Sequence, residues 1–479
     1  MNRTARIHDD PIAYPENLRP VEGEMMMLAM LLNDNSRVDI VADLLRSDDF
    51  YEPLFGRLYG RIVQLVSAGQ QANPFTVNAL FANDPAYAEM NAREMLVDLT
   101  GTEARASLLI RAVDQATVIA EAAARRRLIS VTRELEQRAA DADVSVPQLV
   151  DETDAALIAA TERRDPSRLS DFKSAIGLAL TRIERIKANE GKVGATTGIE
   201  ELDDLVGGFE GGQLVIVGGR PGMGKTGFAC SVSNGLARNG HGVFFQSLEM
   251  KTDELSTRML CDVACRAPSD WVPFSAMVSG RTTAAQDETL AAISQSVSSW
   301  PVEIDDRSGV SIARLALSAR RVRRKMLARK QTLRIIIVDY LQLMAGEDKR
   351  ASIYETVTAI SKGLKELAKE LNVTVIALAQ LSRAVEQRDD KRPMLSDLKD
   401  SGQLEQDADA VIFLYREEYY LKKVKPKPGN EEAHERALEE ARGKIVVHLA
   451  KRRNGAEGSV TLRYLAPYQA IRGSNWGRL

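Results

Sequence analysis

Eight residues, Gly219-Arg220-Pro221-Gly222-Met223-Gly224-Lys225-Thr226, read G-x-x-x-x-G-K-T and constrain the fold more than any other stretch. Three glycines let the backbone turn tightly and present a row of N–H groups to phosphate oxygens. Lys225 adds a mobile positive charge for β- and γ-phosphates, and the Thr226 hydroxyl is a ligand for Mg²⁺. Upstream, the apolar β-branched run Gln213–Gly218 predicts a buried strand. Downstream, Gly227–Arg238 predicts a helix whose positive end faces the anion. A ligand-free glycine turn is the bland alternative, and it does not account for strand, loop, Lys-Thr and helix in one register.

A chain of 479 residues is too long for one ordinary core, so two or three domains are expected. Apolar content of 44% and charged content of 27% describe a globular protein. The apolar stretch Met25–Leu32 is far too short to span a bilayer, and the first 20 residues lack a signal-peptide core. Cys230, Cys261 and Cys265 form no even framework and sit at no metal-binding spacing from a histidine. A cytoplasmic protein with reduced, buried thiols and no membrane segment is expected. The net charge of −3 says nothing for nucleic acid taken globally, and any DNA contact would have to come from local loops or from a pore built by several subunits.

Residues 1–20 form a polar, proline-bearing tail. Residues 21–163 follow with helical periodicity: Glu22–Asn33, Val38–Leu45, Pro53–Ala68, Asn73–Ala82, Arg93–Thr100, a long helix Glu103–Arg138 and a last one centred on Pro147–Thr161. Arg125-Arg126-Arg127 on the long helix predicts a solvated face or a subunit contact. Residues 164–193 are a linker carrying one amphipathic helix, Asp171–Asn189, with a stripe of Phe172, Ile176, Leu180, Ile183 and Ile186. Its own domain or a neighbouring subunit can bury that stripe. From 194 to 479 short β-branched runs alternate with helices, the pattern of a parallel α/β sheet. Strands are expected at Gln213–Gly218, Val243–Ser247, Arg334–Asp339, Thr374–Ala379, Ala410–Tyr415, Lys444–Leu449 and Val460–Tyr464. Residues 422–442 read as an exposed insertion.

Triphosphate hydrolysis needs a metal anchor, a base, a γ-phosphate sensor and positive charge on the transition state. Ile335–Asp339 ends a central strand in one carboxylate, which places Asp339 to hold Mg²⁺ through water. Glu249 lies just past a strand expected to neighbour the loop strand, where it can polarise the attacking water. Gln380 ends another strand and is a candidate for reporting the γ-phosphate state to Arg383 and the loop beyond. Lys451 and Arg453 share one face of extended chain while Arg452 faces away. That pair reads as a phosphate-facing finger, a nucleic-acid clamp or a solvated turn. Arg383–Gly402 is a long polar loop of mild charge, and Arg320–Lys330 a basic helix face packing through Leu315, Val322 and Met326.

In this order the motifs resemble the DnaB-type replicative helicases, hexameric helicases with a RecA-like motor. The resemblance covers essentially the whole chain. It rests on Pro20–Asp34, Asp48–Pro53, Arg125–Ile129 and Asp171–Asn189, and in the motor on Gly219–Thr226, Ser247–Met250, Val338–Met344, Ala379–Arg383 and Glu405–Asp409. It implies an all-α N-terminal collar domain and an α/β RecA-like P-loop NTPase domain joined by a linker helix. It implies ATP and Mg²⁺ as cofactors, with Glu249 as catalytic base and Lys451 and Arg453 as a lysine and arginine finger reaching the ATP of the adjacent subunit. It implies a cytoplasmic homohexamer moving 5′ to 3′ on single-stranded DNA and opening forked duplex DNA, with a primase and a loader as partners. Lys399, Asp400 and Gly402 correspond to the loop that grips the strand backbone.

Some positions depart from the family. Lys399-Asp400 stands where Arg-Glu is usual, losing the arginine fork. The loop Ala345–Ser352 lacks the usual asparagine-arginine pair, with Lys349 and Arg350 as substitutes, and Gly222 replaces a frequent serine. Two rival readings remain at this point. A RecA/RadA-like recombination ATPase shares the motor but not the helical domain and linker helix. A non-catalytic primase-recruiting scaffold would need a broken loop or a missing finger.

Overall fold

The computed structural model describes residues 14–81, 94, 97, 111–140, 146–161, 172–188, 192–265, 271–346, 351–398, 402–426, 428–453 and 455–476. The expected helix Arg93–Thr100 (apart from Glu94 and Val97), the start of the long helix at Glu103, and Lys349, Arg350, Lys399 and Asp400 lie outside those residues. The chain divides into two compact units, Met1–Ile176 and Gly177–Leu479.

The first unit is helical: α1 (Val21–Asn33), α2 (Val38–Ala42), α3 (Pro53–Ser67), α4 (Pro74–Phe81), α5 (Ala112–Ala139) and α6 (Val146–Thr161). Met27, Leu28 and Leu31 of α1 are buried against Phe55, Leu58 and Ile62 of α3, so the methionines are core filler. Pro53 opens α3, where its missing N–H costs nothing, and the Glu52 carboxylate accepts the Leu54 N–H. One expectation is corrected here. Arg125 and Arg127 make ion pairs with Glu121 and Asp49, but Arg126 is buried rather than solvated. It donates to the carbonyls of Leu18 (2.7 Å) and Asp49 (2.6 Å). Successive helix residues turn about 100°, so three in a row cannot share one face, and the middle arginine points inward. Beside it Glu24, also buried, accepts the N–H groups of Tyr51 and Glu52. Burial pushes its carboxyl up to about 7, against those donors and Arg126.

The division between units falls inside α7 (Phe172–Ala188). Four of its five stripe residues, Phe172, Ile176, Leu180 and Ile183, are exposed, Phe172 by 81% and Leu180 by 56%, and Ile186 is partly covered.

In the second unit a nine-stranded sheet runs in the order β3-β2-β4-β5-β1-β6-β7-β8-β9. The strands are β1 (Leu214–Gly219), β2 (Gly242–Ser247), β3 (Val302–Asp305), β4 (Leu333–Asp339), β5 (Thr374–Gln380), β6 (Ala410–Tyr415), β7 (Lys444–Arg452), β8 (Gly458–Leu465) and β9 (Ala470–Arg472). Between and around them lie α8 (Glu200–Val206), α9 (Lys225–Arg238), α10 (Thr252–Ala264), α11 (Phe274–Ser279), α12 (Ala284–Val297), α13 (Ile312–Ala328), α14 (Ile353–Leu371), α15 (Gly402–Asp407), α16 (Glu417–Leu421) and α17 (Glu431–Ala441). Pairing is parallel from β3 through β6 and antiparallel from β6 to β9. A parallel sheet buried on both faces needs continuous apolar strands. Accordingly Ile336 and Val375 face one core cluster while Ile337 and Ile376 face the other. Leu315 and Met326 pin the basic helix α13 to the first of these cores, as expected.

β3 and β9 escape sequence reading because each is a short edge strand, too short to show a period of its own. A further correction concerns β2. It neighbours β3 and β4, not β1, whose partners are β5 and β6. Local periodicity identifies a strand but carries no information on its place in the pairing order. Within the expected exposed insertion, Glu431–Ala441 forms α17, most of it exposed. All three cysteines are free and buried, and burial pushes Cys261 up to about 12 and Cys265 to about 11. No helix among the described residues is long and apolar enough to cross a membrane.

Candidate nucleotide and strand-contact site

The glycine loop joins β1 to α9, which begins at Lys225, two residues earlier than its periodicity predicts. Gly222 (φ +84°) and Gly224 (φ +87°) adopt the left-handed conformation that side chains resist. A Cβ at Gly222 would also stand 2.5 Å from the Tyr419 ring. The Arg416 guanidinium donates to the Gly222 carbonyl at 3.0 Å and lies 4.1 Å from the Tyr464 ring centroid. The loop is therefore braced from the α16 side.

Lys225 bends its amine back to the Gly219 carbonyl at 2.7 Å, and burial holds its pKa below the usual lysine value. Thr226 Oγ1 donates to Asp339 Oδ2 at 2.9 Å across 113 residues of sequence. Asp339 ends β4 and is buried; burial, with Glu249 adding to it, pushes its carboxyl up to about 6, against Thr226 and Lys225. A hydroxyl and one buried carboxylate are hard oxygen donors, few in number, which suits Mg²⁺ that keeps several waters and bridges to phosphate.

Glu249 is exposed, two residues past β2. The register Ser247↔Asp339 and the Leu248 N–H donated to the Asp339 carbonyl (2.7 Å) set it beside the end of β4. Although β2 does not flank β1, Glu249 acts electrostatically on both Lys225 and Asp339. Gln380 ends β5, and its backbone N–H and carbonyl are both held by the Gln342 side chain at 3.1 Å. Lys225, Thr226, Asp339, Glu249 and Gln380 thus gather at the carboxyl edge of the parallel strands.

Arg220 behaves differently from the rest of the loop. Its side chain is buried and donates to Glu386 Oε1 (3.0 Å) and to the Leu381 carbonyl (2.8 Å).

Lys451 and Arg453 are not brought to this edge. β7 runs antiparallel to β6 with Arg452 opposite Ala410, which itself pairs with Val215 near the start of β1. The Lys451 amine donates to the Glu405 carbonyl. Arg453 donates to the Gln406 carbonyl (2.9 Å) and pairs with Asp409 (3.3 Å). Arg452 turns the other way, to the Leu205 carbonyl at 3.3 Å, as the alternation of extended chain requires. Two cations thus sit over the last turn and carboxyl end of α15, where a helix end favours positive charge. Gly402, the described member of the strand-contact trio, opens the same helix.

Two family models match this chain: the DnaB-like helicase N terminal domain over residues 16–115 and the DnaB-like helicase C terminal domain over residues 194–472. The chain belongs to the DnaB-like helicase family. The replicative DNA helicase DnaB of Rickettsia bellii is 34% identical over 469 residues, covering 94% of this chain and 91% of that protein. The replicative DNA helicase DnaC of Bacillus subtilis is 31% identical over 460 residues, covering 95% of this chain and 94% of that protein. A DnaB-like replicative helicase, solved in a study of its interactions with primase, is 26% identical with a TM-score of 0.64 and covers 94% of this chain and 99% of its own.

Three features of this DnaB-like site have no sequence signal of their own. The brace of Arg416, Tyr419 and Tyr464 depends on α16 folding back onto the loop. Asp409 was visible only as the end of the Glu405–Asp409 motif. In the structure it accepts the Leu214 N–H (2.7 Å) and pairs with Lys365 as well as Arg453. The direction of the Arg220 side chain could not be read from a motif in which that position varies.

Proposed function

We propose that the chain works as a cytoplasmic ring of six copies that hydrolyses ATP with Mg²⁺, moves 5′ to 3′ along single-stranded DNA and opens forked duplex DNA. Family membership supplies the class: an ATP-dependent replicative DNA helicase. The observation that supports a site shared between copies is the separation of Lys225, Thr226, Asp339 and Glu249 from Lys451 and Arg453 at opposite ends of one sheet; the number six rests on the family resemblance.

Within each copy the backbone of Gly219, Arg220, Pro221, Gly222, Met223 and Gly224 cradles the phosphates. Lys225 neutralises their charge, and Thr226 with Asp339 holds Mg²⁺. Glu249 accepts a proton from the attacking water, and Gln380 senses the γ-phosphate. Lys451 and Arg453 of one copy complete the site of the next. Lys399, Asp400 and Gly402 hold the strand by its backbone, so grip carries no sequence preference. Residues 21–163 act as the collar and 164–193 as the linker, whose uncovered helix α7 docks on a neighbouring copy. A primase at the collar and a loader complete the partners. Separating a base-pair step costs about 1.4 kcal/mol on average, so steady opening must be coupled to hydrolysis.

Unwinding of a forked duplex by the native chain and by Lys225→Ala tests this reading. Opening that requires a 5′ tail and ATP, and vanishes in the variant, supports it. ATP hydrolysis on single strands without fork opening overturns it.

A further inference from the structure

The short helix α16 carries one buried acid, Glu418, which takes no part in the proposed hydrolysis. A carboxylate taken out of water needs several donors to offset the cost. Glu418 has three. Its Oε1 accepts the Lys422 amine, while its Oε2 accepts the Gly443 N–H (3.2 Å) and pairs with Arg416 Nη2 (3.4 Å). Burial alone would raise this carboxyl, but Lys422, the Gly443 N–H and Arg416 hold it below the usual glutamate value.

Lys422 opens the insertion, and Gly443 directly follows it at the start of β7. One carboxylate therefore closes the neck of the excursion that carries α17. The Gly443 carbonyl in turn accepts the Tyr464 N–H at 2.8 Å, and the Tyr464 ring packs against the Arg416 guanidinium. Glu418, Arg416, Tyr464 and Gly443 thus form a closed circuit of contacts. Three points of that circuit and its neighbour Tyr419 bear on the phosphate loop. Arg416 Nη1 donates to the Gly222 carbonyl (3.0 Å), the Tyr419 ring packs against Gly222, and the Tyr464 ring lies where a Cβ on Gly224 would stand 3.4 Å from it. Beyond the neck, α17 buries only Ala441.

We propose that Glu418 is a positioning residue for nucleotide binding, which fixes Arg416 and Tyr464 against the phosphate loop and closes the neck of the insertion, so that loop geometry does not depend on α17. This rests on the phosphate loop holding ATP. The guanidinium is planar, so an acid on Nη2 sets the direction in which Nη1 reaches Gly222. Arg416 and Glu418 are 12% and 9% exposed, so water competes little for that contact. All three groups around the carboxylate are donors. A neutral amide of the same shape cannot replace it, because its NH₂ must face one of them.

The test titrates the assembled full chain with a fluorescent, non-hydrolysable ATP analogue and measures ATP turnover against ATP concentration. In Glu418→Gln the analogue affinity should fall on the order of tenfold, the weight of one charge-assisted hydrogen bond. KM for ATP should rise by a similar factor while kcat stays within about twofold of native, because the brace serves binding rather than the chemical step. Arg416→Lys, which leaves the carboxylate in place, should show the same split, and it carries the test if Glu418→Gln does not assemble. In the double variant the two losses should not add, since both act through one contact. A chain in which a short Gly-Ser link joins Val424 to Arg442 drops α17 but keeps Glu418, Lys422 and Gly443. It should bind the analogue and turn over ATP as the native chain does. Native affinity in Glu418→Gln, a loss of kcat at unchanged KM, additive losses, or weak binding by the shortened chain would each overturn the proposal alone. A native chain that does not bind the analogue would overturn the nucleotide reading and the proposal with it.

Discussion

The two ends of the motor sheet are built from the same strands yet prepared for opposite tasks. At the carboxyl edge, Lys225 donates to the Gly219 carbonyl and Thr226 donates to Asp339. At the other edge, Lys451 and Arg453 rest on carbonyls of α15 and on Asp409. Register fixes the distance between them. Arg452 stands opposite Ala410 and thus level with Val215, four residues before the strand ends at Gly219. At about 3.3 Å per residue, that places the cation pair more than about 13 Å from its own phosphate loop. Within one chain, the register keeps Lys451 and Arg453 away from Gly219–Thr226. That difference supports the proposal that hydrolysis belongs to the contact between copies.

Arg453→Ala should separate the two ends most sharply. Steady-state turnover of ATP should fall by ~10³-fold or more while nucleotide affinity stays near native, if Arg453 acts as proposed on the transition state of a neighbouring copy. Equal loss of affinity would place Arg453 at its own copy's nucleotide and break the comparison. Asp409→Ala should come next. It removes the partner of Lys365, both side chains being under 15% exposed, and frees Arg453 and the Leu214 N–H together. Breaking a buried pair from one side costs about 3 kcal/mol or more, readable as a lowered urea midpoint of the motor unit. A change below about 1 kcal/mol would mean the finger edge is held by something else.

The helical unit supplies a control that should leave both ends alone. Glu24 titrates near 7 when folded, against an ordinary 4.5, because burial disfavours its charge. A folded pKa above the unfolded one gives stability present below pH 4.5 and lost as pH rises through 7. The loss amounts to on the order of 3 kcal/mol. The thermal midpoint of the helical unit should therefore fall between pH 4.5 and about 7 and level off above that, and Glu24→Gln should flatten that fall without altering ATP turnover. A native profile that is already flat would contradict the burial argument. The smallest effect is expected at Arg436→Ala on α17. Its pair with Glu432 is 78% and 89% exposed, and such i,i+4 pairs contribute under about 0.5 kcal/mol. Any larger change in stability or turnover would mean that the insertion touches one of the two ends.

Much of this was legible in the chain because it is written in local terms. The glycine loop carries its own backbone chemistry, and apolar runs such as Ile335–Val338 announce strands buried on both faces. The alternation of Lys451, Arg452 and Arg453 follows from extended chain alone. What stayed hidden depends on distant pairing. Nothing in Val243–Ser247 says that β4 and β5 intervene between β2 and β1. Nothing around Arg126 says that Leu18 and Asp49 will present carbonyls to it. Asp409 gathers Leu214, Lys365 and Arg453, which local periodicity cannot bring together.

Mixing inactive copies tests the central claim most directly. Lys225→Ala and Arg453→Ala chains, each expected to hydrolyse ATP far more slowly than the native chain, are assembled together and assayed on single-stranded DNA. If the site is shared, an Arg453→Ala copy lends its intact phosphate loop and a Lys225→Ala neighbour lends its finger, and hydrolysis returns. Mixed assemblies that stay as inactive as either parent would show that each copy uses its own Lys451 and Arg453.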